Sequence, residues 1–285
     1  MNTTKYSSQD VRETYKKKDA WWTVFLVDPI ASRLLLPLAN YTKITPNQLT
    51  LLAFITGLAA AFHFYQGTYL SLVVGAVLYH ISFTLDCMDG KISRLKGTGS
   101  IFGAWMDYIL DRTRVAICAF ALIYGQYQPS GAIIYFYLGA LICFLDSTRY
   151  MNSLLVYKSL NEMRKKIDQA NYTLQIEKKA IPIDEINLKE DFLREVVSRY
   201  PSYLKIRTFF LQFRVRLHLM SGIEYQMFIF IIAPIIGFIP EGIIASSVLM
   251  ILFESAVIYK LWLMTIDFQR QLNKLTKKIN SLDPE

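Results

Sequence analysis

The sequence predicts an all-α integral membrane protein with six transmembrane helices and an N-terminal interfacial amphipathic helix. Hydrophobic residues make up 53% of the 285 positions and aromatic residues 14%, which is more apolar than a soluble domain of this size. Apolar runs of about 20 residues recur along the chain, and a helix of this length crosses the hydrocarbon core of a bilayer. The six predicted spans are Asn47–Tyr65, Tyr69–Ser93, Ser100–Tyr124, Ala132–Tyr157, Ile223–Ile239 and Ile243–Ile266.

The stretch Ala20–Asn40 is apolar but is interrupted by Asp28, an arginine and two prolines. This composition suits a helix that lies in the membrane interface better than one that spans the bilayer. Trp21 and Trp22 fit the headgroup boundary. Asp28 precedes a proline and is a candidate N-cap, and Thr45, also followed by proline, predicts the start of the first span.

The distribution of positive charge predicts the orientation of the spans. The short breaks at residues 66–68, 125–131 and 237–242 contain none of the 31 lysines and arginines. These basic residues lie instead near the N-terminus, around Lys96, in residues 158–216 and in the C-terminal tail. The positive-inside rule therefore places both termini in the cytoplasm, and we expect a multi-pass protein of the cell membrane. The net charge of +8 favours anionic lipid rather than nucleic acid as its partner.

Four segments follow from this reading. Residues 1–46 form a cytoplasmic N-terminus with the interfacial helix, and residues 47–157 contain the first four spans. Residues 158–221 are polar and predict cytoplasmic helices broken near Pro182 and Pro201. Residues 222–285 contain the last two spans and a basic cytoplasmic tail.

Four carboxylates interrupt apolar helical sequence in the second and third spans. Asp86 and Asp89 are three residues apart, and Asp107 and Asp111 are four apart, so each pair lies on one face of its helix. In an antiparallel hairpin that turns near Gly97, all four lie at a similar depth, close to the cytoplasmic face. Carboxylates crowded in this way repel one another unless a cation is present. Oxygen ligands favour Mg²⁺ or Mn²⁺ rather than zinc.

Small and basic residues accompany the acids. Gly90 and Gly103 remove side chains beside them, which permits close approach by a ligand or, alternatively, tight helix packing. Arg94 lies near the end of its helix and can bind phosphate with its fork of donors. Lys91 and Lys96 could assist, but we expect them to extend toward the membrane surface.

The pattern from Asp86 to Asp111 resembles the signature of the CDP-alcohol phosphotransferase family, D-x2-D-G-x2-A-R-x8-G-x3-D-x3-D. Ser93 replaces the usual alanine, and every other defined position matches. The resemblance implies that Asp86, Asp89 and Asp107 hold two metal ions with help from Asp111, which is also the implied general base. It further implies that Gly90, Arg94 and Gly103 contact the CDP moiety.

The implied reaction displaces CMP from a CDP-linked alcohol when an acceptor hydroxyl attacks the β-phosphorus. We expect CDP-diacylglycerol as the donor and an enzyme of phospholipid biosynthesis, and the family resemblance implies a homodimer. One alternative keeps this chemistry but uses a soluble CDP-alcohol donor with a lipid or polyol acceptor. Another is an Asp-rich prenyltransferase, and a third is a non-enzymatic divalent-cation transporter that uses the intramembrane acids.

Residues outside the signature are candidates for acceptor binding. Asp146 is expected to form a local ion pair with Arg149, three residues later on the same helix. Glu224 could receive an acceptor amine, or could pair with Arg214 or Arg216. Asn47 could reach the site or cap its own helix. A phosphorylated acceptor would need cations, for which the candidates are Arg112, Arg114, Arg149, Arg207, Arg214 and Arg216; of these, Arg112 and Arg114 are not both expected to line the pocket.

Overall fold

The computed structural model describes residues 5–178, 209–216 and 220–281, and within these ranges the chain is helical without a β-strand. Asp19 and Val215 form a single isolated backbone bridge. The helices are α1 (Ser8–Glu13), α2 (Thr23–Tyr41), α3 (Pro46–Gln66), α4 (Tyr69–Lys96), α5 (Ile101–Ser130), α6 (Ile134–Lys178), α7 (Gly222–Ile236) and α8 (Ile239–Asn280).

The chain divides into two compact units. The first consists of Met1–Asp146 and Phe210–Ile251, and the second of Ser147–Phe209 and Leu252–Glu285. In the first unit, α4 packs against α1, α2, α3 and α7, and α3 also packs against α5. In the second unit, Arg149 forms an ion pair of 2.8 Å with Glu254.

The core of the first unit is aromatic where α3, α4 and α7 meet. The ring of Phe230 lies 4.6 Å from that of Tyr79 and 6.1 Å from that of Phe64, measured between centroids. All three side chains are completely buried. Phe230 belongs to a π-helical turn, Phe228–Ile232, inside α7. This cluster lies beneath the acidic residues of α4, because Tyr79 precedes Asp86 by two turns of the same helix.

Local sequence explains where the hairpin helices begin and end. Thr45 accepts a hydrogen bond from the backbone N–H of Gln48 and starts α3 with a capping box, as predicted. Ser100 caps α5 by accepting from the N–H of Gly103. Gly97 ends α4 with a φ of +63°, a left-handed conformation that glycine adopts without steric cost. The α4–α5 turn therefore lies where the sequence placed it.

Four helices have the length and apolar composition of a membrane span, namely α2, α3, α4 and α8. All six predicted spans are helical in the structure, but α5 begins in the charged motif and ends in polar residues, which shortens its apolar run. Helix α7 is shorter than a typical span. The chain is thus an all-helical protein with several membrane-length helices, while the count of six spans and the interfacial position of α2 stay predictions.

One local expectation was wrong. Asp28 does not cap a helix, because the preceding π-helical turn Thr23–Val27 runs directly into it and its carboxylate is buried in ion pairs. The described part of the polar segment after residue 157 is helical and continues α6 to Lys178. Pro182 and Pro201 lie outside the described residues.

Candidate active site

The structure brings together three of the four acids in the α4–α5 hairpin. Carboxylate oxygens of Asp86, Asp89 and Asp107 all lie within 4.8 Å of one another. Asp89 is 6% exposed, and the other two side chains are partly buried. Three carboxylates this close repel one another strongly in a poorly solvated site. Their oxygens form a donor set suited to a hard divalent cation, so the residues present fit the Mg²⁺ or Mn²⁺ that the sequence predicts.

Asp111, the fourth acid, lies in a different environment. Its two carboxylate oxygens accept hydrogen bonds from Arg112 and Arg114. The sequence analysis expected these arginines to point to different sides of α5 and not to share the site. That expectation was wrong, because both long side chains curl back to the same carboxylate, one from the next residue and one from the next turn.

Arg114 links Asp111 to the group of three acids. Its side chain is 1% exposed, and its Nη1 lies 3.4 Å from Asp86 Oδ1 and 3.2 Å from Ser82 Oγ. The chain makes room for this guanidinium with Gly57, where an added Cβ would lie 2.5 Å from the Arg114 Cδ. The space that Gly57 leaves for the buried Arg114 side chain is part of the site, and the motif alone does not reveal it.

Arg112 connects the site to α6 and α7. Its Nη1 lies 2.6 Å from Asp146 Oδ2, and the Gln226 side chain donates to Asp146 Oδ1 at 2.9 Å. Asp146 therefore does not pair with Arg149 as predicted, and Arg149 pairs with Glu254 instead. The reason is proximity in space: Arg112 on α5 reaches Asp146 across the helix interface, an interaction that helical spacing within α6 cannot show.

Helix α3 contributes two side chains. The Thr50 hydroxyl donates to Asp89 Oδ2 at 2.5 Å. Asn47, one turn earlier, places its Oδ1 2.7 Å from where a Cβ on Gly103 would lie. Asn47 thus reaches the rim of the site, and Gly103 is required for this close approach. Thr50 was missed, although its spacing of three from Asn47 places both on one helix face.

Arg94 is anchored to the N-terminal segment of the chain. Its Nε donates to the backbone carbonyl of Thr14 at 2.8 Å. Its Nη1 lies 3.4 Å from the position of a Cβ on Gly90, so the guanidinium folds over this glycine. The signature residues Gly90 and Arg94 are therefore neighbours in space, and Gly90 directly follows Asp89 in the sequence.

Of the two lysines at this helix end, Lys91 does not extend to the surface as expected, whereas Lys96 is partly exposed. Lys91 is buried and lies 2.9 Å from Asp28 Oδ1. The Lys96 ammonium lies within 3.4 Å of the carbonyl oxygens of Thr42 and Ile44. Lys91 is held by a buried carboxylate that lies 63 residues earlier in the chain, which local sequence could not predict.

Glu224 and its predicted partners are separated. Glu224 is completely buried and forms a capping box with Ser221 at the start of α7. Arg214 pairs with Asp28 at 3.1 Å, and Arg216 lies 3.9 Å from Asp19. Pairing of Glu224 with either arginine is therefore wrong within the part of the chain that the structure describes. Arg207 lies outside that part.

Comparison with known proteins adds an independent observation. A family model described as CDP-alcohol phosphatidyltransferase matches residues 43–268. The chain is 41% identical over 70 residues to a bifunctional IPC transferase and DIPP synthase of Aquifex aeolicus, covering 25% of this chain and 15% of that protein. It is 33% identical over 82 residues to an archaetidylinositol phosphate synthase of Pyrococcus horikoshii, covering 29% and 42%. A phosphatidylinositol phosphate synthase of Corynebacterium glutamicum is 36% identical over 87 residues, covering 30% and 36%. The matched regions thus span less than half of each relative.

Proposed function

The chain belongs to the CDP-alcohol phosphatidyltransferase family, and from this membership we propose that it transfers a substituted phosphate group from a CDP-linked alcohol to an acceptor hydroxyl, with release of CMP. The observation that carries the proposal is the cluster of Asp86, Asp89 and Asp107 beside Gly90 and Arg94. A diphosphate substrate with a divalent ion requires crowded carboxylates for the ion and a nearby arginine for the phosphate.

We assign Asp86, Asp89 and Asp107 as ligands of Mg²⁺ or Mn²⁺, with two ions proposed. Bound there, the metal would neutralise the diphosphate and the departing CMP. Asp111 is kept as the proposed fourth ligand and general base. For either role one of its oxygens must exchange an arginine donor, from Arg112 or Arg114, for the metal ion or for the acceptor hydroxyl.

The chain's own residues then perform positioning and proton transfer. Arg94 binds a phosphate oxygen of the donor, and Gly90 leaves room beside it. The acceptor oxygen forms a bond to the β-phosphorus as the bond from that phosphorus to CMP breaks. Asp111 takes the proton of the acceptor hydroxyl during attack. Thr50 holds Asp89 in position through its hydroxyl.

For the substrates, we propose CDP-diacylglycerol as donor and a polar alcohol as acceptor, in phospholipid biosynthesis. Support comes from the relatives, several of which are named as synthases of archaetidylinositol or phosphatidylinositol phosphate. The location of the acids near the basic end of the α4–α5 hairpin supports a site open to the cytoplasm. We also propose a homodimer in the cell membrane, with both termini cytoplasmic.

The test measures CMP release by the purified protein with CDP-diacylglycerol, Mg²⁺ and a panel of hydroxyl acceptors, inositol phosphate among them. CMP together with a new phosphodiester is expected with one acceptor, and loss of both in Asp111→Asn and Asp107→Asn. Asp267→Asn is the matched control, since this acid belongs to the second unit, where it pairs with Arg270 three residues later on α8. Turnover with soluble CDP-alcohols alone would replace the proposed donor, and no turnover with any CDP-linked donor would refute the function.

A further inference from the structure

The N-terminal strap, defined here as residues 14–19, lies against the end of α4 that carries the predicted donor-binding residues. The Thr14 carbonyl accepts from Arg94 Nε at 2.8 Å. Thr14 and Asp19, at the two ends of the strap, are 6% and 7% exposed, so these ends are buried in the first unit. None of these residues belongs to the signature, and the strap precedes the matched family region, which begins at residue 43.

Residues near the end of the polar segment hold the strap from its other side. The Asp19 N–H donates to the Arg214 carbonyl, and the Arg216 N–H donates to the Asp19 carbonyl, each at 2.9 Å. The Arg214 guanidinium lies 4.4 Å from the Tyr15 ring centroid and donates to the Lys16 carbonyl at 3.2 Å. The backbone on both sides of Tyr15 is therefore fixed by two arginines, Arg94 and Arg214.

Asp28 forms ion pairs with both α4 and the segment that holds the strap. Its side chain is 5% exposed, with one oxygen 2.9 Å from Lys91 and the other 3.1 Å from Arg214. Lys91 also lies 5.7 Å from the Tyr15 ring centroid. A carboxylate that joins α4 to the segment holding the strap restricts how far the strap can move from Arg94.

Lys16 is the cation that this backbone positions. Its side chain is exposed and has no ion-pair partner among the residues the structure describes. It follows Thr14 by two residues, and the Thr14 carbonyl accepts from Arg94, so the Lys16 side chain starts near the Arg94 guanidinium. A diphosphate entering beside several carboxylates adds negative charge, and an unpaired ammonium at this rim favours its binding.

We propose that two residues of the N-terminal strap form part of the donor site: the Thr14 carbonyl orients Arg94, and Lys16 contributes a cation to the donor's diphosphate. The inference rests on the proposed function, because it takes the donor to be a CDP-linked alcohol. The hydrogen bond to the Thr14 carbonyl uses only the Nε donor of Arg94. The two terminal nitrogens lie over Gly90 and keep N–H donors for phosphate oxygens. Lys16 and Arg94 then approach the same anion from different parts of the chain.

The experiment compares Lys16→Gln with Lys17→Gln, which removes the same charge from the adjacent exposed residue. For each purified full-length variant, CDP binding in the presence of Mg²⁺ is measured by calorimetry, and the KM for the donor by CMP release. We expect Lys16→Gln to weaken CDP binding and raise KM about five- to tenfold with kcat within twofold, and Lys17→Gln to match the native protein. Both substitutions are on the surface and should leave folding unchanged.

Equal effects of the two substitutions would overturn the inference. The proposed function would still stand if the native protein binds CDP and releases CMP. A drop in kcat without a change in CDP affinity would also overturn the inference, because a donor-binding cation acts on affinity. Failure of the proposed function has a different signature: the native protein would neither bind CDP nor release CMP. That result would remove the inference as well.

Discussion

Two buried acidic sites in the first unit differ in how their charge is compensated. Asp28 has two cations, Lys91 and Arg214, one at each carboxylate oxygen. Asp89 has a hydroxyl donor from Thr50 and lies in a cluster with two further carboxylates. Among the residues that the structure describes, Asp86 alone of these three acids has an ion-pair partner, at 3.4 Å. The first site is complete as a set of protein charges, and the second is not. We therefore expect Asp28, which the protein itself neutralises, to be structural, and the crowded acids to receive a cation supplied from outside.

The largest effect that tests this difference is expected from Asp107→Asn. We predict that CMP release falls at least about a hundredfold, because a ligand of the proposed metal is lost. Without metal, however, the variant should unfold at the same or a higher temperature than the native protein, since one of the crowded charges is gone. Thermal unfolding with a thiol-reactive dye, which reports exposure of the buried Cys118, measures this in detergent.

Addition of Mg²⁺ supplies the control for Asp107. The native protein should gain stability with the ion, and Asp107→Asn should gain little, because binding to the folded state is weakened. If the variant were strongly destabilised without metal, the cluster would be a structural site like that of Asp28, and the comparison would fail.

Asp28→Asn, in contrast to Asp107→Asn, should lower the stability of the protein. Removing one partner of a buried ion pair leaves Lys91 uncompensated, so we expect a loss of about 3 kcal/mol in the free energy of unfolding. The loss should be the same with and without Mg²⁺, as read by the same thermal assay. Asp10→Asn is the control, because the Asp10 carboxylate accepts from the Ser7 N–H in the exposed capping box of α1, and its substitution removes charge without opening a buried pair. A destabilisation that Mg²⁺ reverses would contradict a purely structural role for Asp28.

The contrast between the sites also explains what sequence could and could not show. The acids of the hairpin follow from spacing within two adjacent helices, because helical periodicity fixes the face and the Gly97 turn fixes the depth. Asp28 was predicted as an N-cap because local sequence shows only the following proline. Its true partners lie on α4 and in the 210–216 segment, and such pairings depend on tertiary packing.

The arginines show the same limit within the motif region itself. Arg112 and Arg114 were placed on different sides by helical geometry, yet both reach Asp111. Helical spacing gives the direction in which a side chain leaves the backbone. The guanidinium of a long arginine side chain can still reach a carboxylate on another side if there is free volume. For Arg114 that volume is provided by Gly57 on α3, which no pattern within α5 indicates.

Gly57→Ala tests how the acidic cluster depends on the position of Arg114. The new Cβ would lie 2.5 Å from Arg114 Cδ, so the arginine must shift away from Asp111 and Asp86. We expect CMP release to fall about tenfold, since a misplaced buried guanidinium no longer holds these two acids. The kcat at saturating donor and Mg²⁺ is the measurement.

Gly139→Ala is the control for this effect. Its Cβ would lie 3.2 Å from Ile123 Cγ1, so it introduces a milder steric contact, against an apolar side chain instead of Arg114. It should lower stability slightly and leave kcat within twofold. Equal losses of kcat in the two variants would show that helix packing, and not the position of Arg114, sets the activity.

The last effect, no larger than that of Gly57→Ala, is expected at Thr50, which supplies the hydroxyl that Asp89 accepts from. Thr50→Val keeps the shape of the side chain but removes the 2.5 Å hydrogen bond, and Thr50→Ser keeps the hydroxyl. Loss of one hydrogen bond to a charged group corresponds to about 1.5 kcal/mol, so we expect the Mg²⁺ concentration for half-maximal activity to rise roughly tenfold in the valine variant. The serine variant should stay near the native value. A valine variant with native Mg²⁺ dependence would show that Asp89 is oriented by its neighbours alone, and that the crowded site needs no protein donor to hold its geometry.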